Sequence, residues 1–311
     1  MSEKKFTVVS SIGLLAAAAI WGYAFVIVKD SLNYVGAIWM LAFRFTIAAV
    51  CMAIVFCKKF KLMNKSYWLH GAILGALLFG AYAFQTIGCD YTTAGKNAFI
   101  TTIYVILVPL IGWPLNKKRP SWFVFVAAIL SVTGIGLLAL KNENGSLLSI
   151  NLGDALTLVC GVFYAVHILF VEKFDEKESP ILLTVLQFVF AAVFSWIAAP
   201  LMDGLSPFKT GSLPVDAVEH ARVIRQIVIS MLYLGIFSTM IAFMLQNVCL
   251  KYVPSALASL FLSMESVFGV FFSALLLGEQ MTARMIVGCV LIFGAIMLAE
   301  VVPQIQVKGK K

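Results

Sequence analysis

Charge is what this sequence has least of. Of its 311 residues only 12% are charged, while 61% are hydrophobic. A soluble domain is about half apolar and about a quarter charged. So little charge cannot cover the surface of a soluble globule, which excludes an ordinary cytosolic enzyme and a disordered chain. Histidine is scarce at 3, and the 6 cysteines form no C-x-x-C pair. Nearly all the cysteines lie in apolar runs, where they read as small buried side chains, and no His or Cys pair has metal-ligand spacing. There is no Gly-rich loop ending in Lys-Ser or Lys-Thr, no H-E-x-x-H and no G-x-S-x-G, so neither ATP drive within the chain nor these hydrolase chemistries are expected. The sequence therefore predicts no metal and no cofactor. The net charge of +8 does not point to nucleic acid, because cytoplasmic loops of membrane proteins collect Lys and Arg.

What the chain does have is apolar segments long enough to span a bilayer, about 20 residues each. They fall at 8–28, 35–56, 67–88, 95–115, 121–140, 152–171, 180–200, 227–249, 255–276 and 283–302, bounded by charges, Pro, Gly or Asn. Lys4 and Lys5 before the first run resemble the start of a signal peptide, but the run from Val8 to Val28 is long enough to span and reads as an uncleaved helix. The longest connection, Leu201 to Gln226, carries a possible short surface helix from Val215 to Arg225. Placing the N-terminus in the cytoplasm puts 15 basic residues inside, among them Lys58, Lys59, Lys61, Lys118, Lys310 and Lys311. It puts 7 outside, namely Lys29, Lys96, Lys141, Lys209, Arg222, Arg225 and Arg284. That asymmetry predicts both termini in the cytoplasm.

The two halves of the chain echo each other. IWGYAFVIVK followed by LAFRFTIAAV lies on FYAVHILFVEK followed by TVLQFVFAAV, with Trp21 on Tyr164 and Arg44 on Gln187 at an offset of 143. A second match sets Tyr91 near Tyr252 and Ala94 near Ser255. Five spans per half is odd, so the second half enters from the opposite side. The expected fold is an all-α integral membrane protein of ten transmembrane helices, built as two inverted five-helix repeats at 1–149 and 150–311. Such repeats are typical of secondary transporters, with a central cavity between helices 1–4 and 6–9 and helices 5 and 10 outside it.

Inside a bilayer the informative residues are polar ones, since each is costly to bury. Arg44 lies about nine residues into its helix, roughly 14 Å deep at 1.5 Å per residue, near the midplane. It reads as a holder of a solute carboxylate or as a structural cation. Glu265 reaches a similar depth from the other side and reads as a proton- or solute-linked carboxylate or as the buried partner of Arg44. His167 is a candidate proton carrier, or a satisfied hydrogen bonder. The amides Gln85, Asn97, Gln187 and Gln246 either bridge helices or hold a solute amine. Trp21, Tyr104 and Tyr164 sit within helices, away from the interfacial belts, and are candidate cavity walls. Gly71 and Gly75, four apart, read as a close helix contact.

The run A-A-I-W-G-Y-A-F in the first helix, Arg44 in the second, the turn from Tyr91 to Ala94, and the stretch with Glu265 followed by LLLGEQMTARMIVG resemble EamA-type permeases of the drug/metabolite transporter superfamily. The resemblance covers nearly the whole chain. It implies the ten-helix fold and movement of small polar metabolites or amino acids, often outward. The sequence departs from its own symmetry at Asn116–Pro120, where the second half has Gly278–Gln280, and Pro109 and Pro114 are expected to interrupt the fourth helix. The reading is a permease in the cell membrane for a small-molecule solute; the alternative is a membrane-embedded enzyme acting on a lipid.

Overall fold

Hydrocarbon offers no water to backbone N–H and C=O groups, so an apolar run must satisfy them within itself, and a helix does so. A computed structural model describes residues 3–92, 94–117, 119–139, 151–175, 177–277 and 283–308. The boundary expected at 149/150 lies outside these residues, as do Lys118, Lys141, Gly278–Gln280, Lys310 and Lys311. The helices in chain order are α1 (Glu3–Ser31), α2 (Ala37–Val55), α3 (Lys65–Tyr91), α4 (Ala94–Thr101), α5 (Tyr104–Asn116), α6 (Trp122–Ala139) and α7 (Leu152–Asp175). They continue as α8 (Pro180–Met202), α9 (Ala217–Leu232), α10 (Ala242–Leu250), α11 (Ser255–Leu262), α12 (Met264–Leu277) and α13 (Ala283–Lys308). A π-helical segment, Tyr233–Ile241, joins α9 to α10. Among the described residues there is no named strand, and one isolated bridge pairs Val35 with Phe208.

Seven of these stretches are long and apolar enough to cross a membrane. Shorter apolar helices cover Tyr104–Leu115, Trp122–Gly134 and Ile286–Leu298. The stretch from Ala217 to Leu250 is one of the seven; the helix expected at Val215–Arg225 is present from Ala217, exposed over its first turns, and runs on without a break into the apolar stretch. Asp216 starts it, its carboxylate accepting from the backbone of Val218 and Glu219 at 3.0 Å each, and no Pro or Gly interrupts α9. The fourth apolar segment is interrupted, but not at its prolines. Pro109 and Pro114 both lie inside α5, and the break falls earlier, at Thr102 and Ile103. There the bonds tighten to three-residue spacing, as in Val105 N–H to Thr102 O at 3.0 Å.

Packing follows the small residues. α3 lies along α7 and α8, α2 along α8, α1 along α12 and α10, and α6 along α13. A Cβ on Gly75 would sit 2.5 Å from Phe190 Cβ and 2.9 Å from the Gln187 carbonyl. Only glycine lets α3 approach α8 so closely, which is the contact the Gly71–Gly75 spacing anticipates. The start of α2 is capped from another helix: the Asp203 carboxylate accepts from Ile38 N at 2.6 Å and Trp39 N at 3.1 Å. That contact satisfies two amides that the first turn leaves free and ties the end of α8 to α2.

Candidate functional site

Polar side chains converge where the helices are least regular. The π segment widens one turn of its helix, and Thr239 Oγ donates to the Leu234 carbonyl at 2.7 Å within it. The same segment presents Thr239 and Ser238 to α2. Arg44 Nε donates to Thr239 Oγ1 at 2.9 Å, and Arg44 Nη2 donates to Ser238 Oγ at 3.0 Å and to Tyr82 Oη at 3.4 Å. The guanidinium carbon lies 4.4 Å from the centre of the Tyr82 ring, close enough for a cation–π attraction. Arg44 is 2% exposed, so its charge is held by hydroxyls and an aromatic face.

Glu265 opens α12, just beyond the break at Ser263. Its carboxylate accepts from the Tyr104 hydroxyl at 3.0 Å. The ion pair expected between Arg44 and Glu265 does not form. Among the described residues the ion pairs are His70–Glu178, Lys209–Asp90 and Arg222–Glu219. Instead the guanidinium is taken up by hydroxyls: Ser238 and Thr239, five and six residues along from Tyr233 in the π segment, both accept from it.

Arg44 and Glu265 nevertheless face the same space. A cavity of about 40 Å³ is lined by both, together with Trp21, Gln85, Asn97, Tyr104, Tyr164 and Gln246. Eight of the ten residues singled out in the sequence thus meet around one cavity. The other two lie elsewhere: His167 and Gln187 bond each other at 3.0 Å, fully buried. Phe243 stands between them and the cavity, lining it and meeting the His167 ring edge-on at 6.1 Å. The repeat position of Gln187 therefore places it on a helix, α8, that contributes no lining residue among those described.

The lining amides are partly committed. Asn97 donates to Thr157 Oγ1 at 2.8 Å and to the Gln85 carbonyl at 3.0 Å. Gln85 accepts from Tyr164 Oη and donates to Thr101 Oγ1, both at 3.2 Å. Trp21 Nε1 donates to the Ser238 carbonyl at 2.7 Å, so its ring is fixed as wall. Sequence reasoning does not single out Ser238, Thr239, Thr101 or Phe25. Serine and threonine are common in membrane helices, and only the π turn distinguishes these two hydroxyls. Among the described residues no three His, Cys, Asp or Glu side chains group as metal ligands.

Comparison with known proteins shows the family to which the chain belongs. An "Uncharacterized transporter" of Archaeoglobus fulgidus is 30% identical over 94% of this chain and 85% of its own length. A "Probable amino-acid metabolite efflux pump" of Salmonella typhimurium is 23% identical over 91% of each chain. A protein of known crystal structure superposes with a TM-score of 0.74 at 16% identity, covering 95% of this chain and 97% of that one, which shows the shared fold. The EamA-like transporter family matches residues 9–140 and again 151–300. With the apolar helices it makes this a multi-pass membrane permease and not an enzyme, which sets aside the lipid-modifying alternative: the chain belongs to the EamA-like transporter family.

Proposed function

We propose that the protein exports a small amino acid by alternating access, reading its carboxylate with Arg44 and its ammonium with Glu265. The observation that carries this is the separation of the two charges. Each is buried in the wall of one cavity, neither neutralises the other, and each rests on neutral partners. A buried charge held by hydroxyls alone is poorly compensated. A zwitterion brings both missing counter-charges at once. At about 40 Å³ the cavity is smaller than small-molecule sites, roughly 300–1,000 Å³, so taking up an amino acid requires its walls to part. Trp21, Phe25 and Phe243 add an apolar wall for a side chain. Outward movement is favoured by the relative named as an efflux pump.

The proposed architecture is ten spans in two inverted repeats, 1–149 and 150–311, with both termini in the cytoplasm. The family matches the chain twice, once in each half. The fourth apolar segment (α4, α5) and the ninth (α11, α12) are both broken mid-span. Discontinuous helices in corresponding positions of two halves are a mark of transporter binding sites. The offset of 143 that pairs Arg44 with Gln187 also pairs Lys29 with Glu172. Lys29 Nζ donates to the carbonyls of Cys89 at 2.7 Å and Thr92 at 2.8 Å, where α3 ends. Glu172 accepts from Ser255 N at 3.0 Å and Ser255 Oγ at 2.9 Å, where α11 begins. Equivalent positions thus tie the first helix of each half to the turn before its fourth span.

The test is flux in proteoliposomes of a labelled amino acid and of its methyl ester, by the native protein and by Arg44→Gln. The amino acid should move saturably and the ester poorly, and Arg44→Gln should cut amino-acid flux by about tenfold or more, as expected when a charge-assisted contact is lost. Equal flux of acid and ester would show that Arg44 reads no carboxylate.

A further inference from the structure

A second cavity, of about 770 Å³, lies outside the proposed solute site. It is a crevice between α1 and α9, at the end of the fold opposite the Lys58–Lys61 turn. Its rim carries Lys29, Arg222 and Arg225, with Asp30 the one carboxylate among its lining residues. Its floor is Tyr23, Ile229 and Tyr233 with neighbouring apolar side chains. α1 separates the two spaces: Ala24, Phe25 and Val28 face the solute cavity, while Tyr23, Val26 and Ile27 face the crevice.

We propose that this crevice binds an anionic phospholipid, its phosphate between Arg222 and Arg225 and an acyl chain running down to the tyrosines. Three features point to that ligand. The charge is one-sided, with three cations against one carboxylate. Asp30 is already engaged by Gln226 Nε2 at 2.7 Å, and the only described partner of Arg222 is an exposed contact of 3.6 Å to Glu219. Arg222 and Arg225 are three apart on α9, so they share a face and present two guanidinium forks to one phosphate. The depth also fits. Arg222 to Tyr233 is eleven residues, roughly 16 Å at 1.5 Å per residue. That is about half the hydrocarbon thickness of a bilayer, or the reach of one leaflet. Finally, these cations come from the poorer side of the basic asymmetry. Three of its 7 residues, from elements far apart in sequence, meet at this crevice.

The experiment is native mass spectrometry and thermal shift on the purified full chain with phosphatidylglycerol, phosphatidylcholine and sn-glycerol 3-phosphate as probes. Phosphatidylglycerol should be retained and should raise the melting temperature, and the other two should do neither at the same concentration. Arg222→Gln with Arg225→Gln should weaken phosphatidylglycerol binding by about tenfold or more, given the attraction of each basic residue for an anionic membrane surface. Arg222→Lys with Arg225→Lys should retain part of it, and Arg119→Gln at the opposite end should change nothing. If the double Gln variant does not fold, discrimination between the two lipids by the native chain decides the matter. Equal retention of both lipids, binding of glycerol phosphate as strong as that of the lipid, or undiminished binding by the double Gln variant would each overturn the proposal.

Discussion

A close approach beside the solute cavity at Gly22 gives a prediction with a size. A Cβ added there would lie 2.5 Å from Phe268 Cβ, 2.7 Å from Gly269 N and 2.9 Å from Glu265 O. Ordinary contact between carbon atoms is about 3.5–4.0 Å. Two of the three obstacles are backbone atoms, which cannot rotate aside. Gly22→Ala therefore has to push α1 and α12 apart by about 1 Å. Overpacking of this kind costs about 1–3 kcal/mol, and the better helix propensity of alanine returns at most about 1 kcal/mol. The net loss of stability is expected to be about 1–2 kcal/mol. Function should suffer more. Trp21 precedes the altered residue, and the Glu265 carbonyl is itself one of the obstacles, so two lining residues move with the seam. Displacements of about 1 Å at a working site cost of order 10²-fold in enzymes, and a loss of at least tenfold in transport rate is expected here. Gly294→Ala is the control: nothing lies within 4 Å of its added methyl, so stability should hold or rise slightly and transport should not change. The assay is thermal unfolding of each purified variant together with its initial flux in proteoliposomes. A Gly22→Ala protein with native melting temperature and native flux would refute the close α1–α12 seam and the role given to it.

A double-mutant cycle on Arg44→Gln and Glu265→Gln should show nearly additive stability changes, with coupling below about 1 kcal/mol, because no direct pair joins the two side chains. Glu265→Gln alone should not show the loss of about 3–5 kcal/mol that follows when a buried ion pair is broken; a loss of that size would show the pair to exist. For orientation, single cysteines at Lys61 and Ser212 in a background without native cysteines should react with an impermeant maleimide only from the cytoplasmic and only from the external side. Reaction of the Ser212 position only from the cytoplasmic side would contradict the inverted arrangement.

Most of the helices are legible in the sequence because apolar length is a strong signal when the solvent is lipid. The run Ala37–Val55 is nearly unbroken and needs no tertiary contact to declare itself. The candidate site is legible for a related reason: a polar residue at the midplane is expensive, so Arg44, Glu265, Asn97 and Gln246 stand out by cost alone. What the sequence does not carry is partnership. Arg44 and Glu265 share a depth, and depth alone suggests a pair, but the outcome depends on which side chain reaches the guanidinium first. Here Ser238 and Thr239, in the π segment at 233–241, accept from it, and that backbone adjustment has no composition of its own. His167 and Gln187 fail in the opposite way. Their burial is correctly signalled, yet a hydrogen bond to each other removes them from the cavity wall. The break at Thr102–Ile103 is likewise unmarked, since the obvious breakers, Pro109 and Pro114, sit within a continuing helix.

The irregular backbone and the solute cavity belong together. A helix that breaks at membrane depth frees backbone groups that lipid cannot satisfy, so such breaks survive only where protein or a water-filled space meets them. The breaks at Thr102–Ile103 and Ser263 and the π segment all border the same cavity. Polar side chains take up part of what they free: the Thr239 hydroxyl bonds the Leu234 carbonyl, the Ser263 hydroxyl the Leu260 carbonyl at 2.7 Å, and the Trp21 indole N–H the Ser238 carbonyl. The Thr239 and Ser263 bonds lie within their own turns, and the Trp21 bond ties the π segment to α1. A permease that must expose one cavity to two sides needs its seams there, around the solute, and its regular packing away from it. α6 and α13 meet that second requirement: they pack along each other, and neither lends a described residue to the cavity wall.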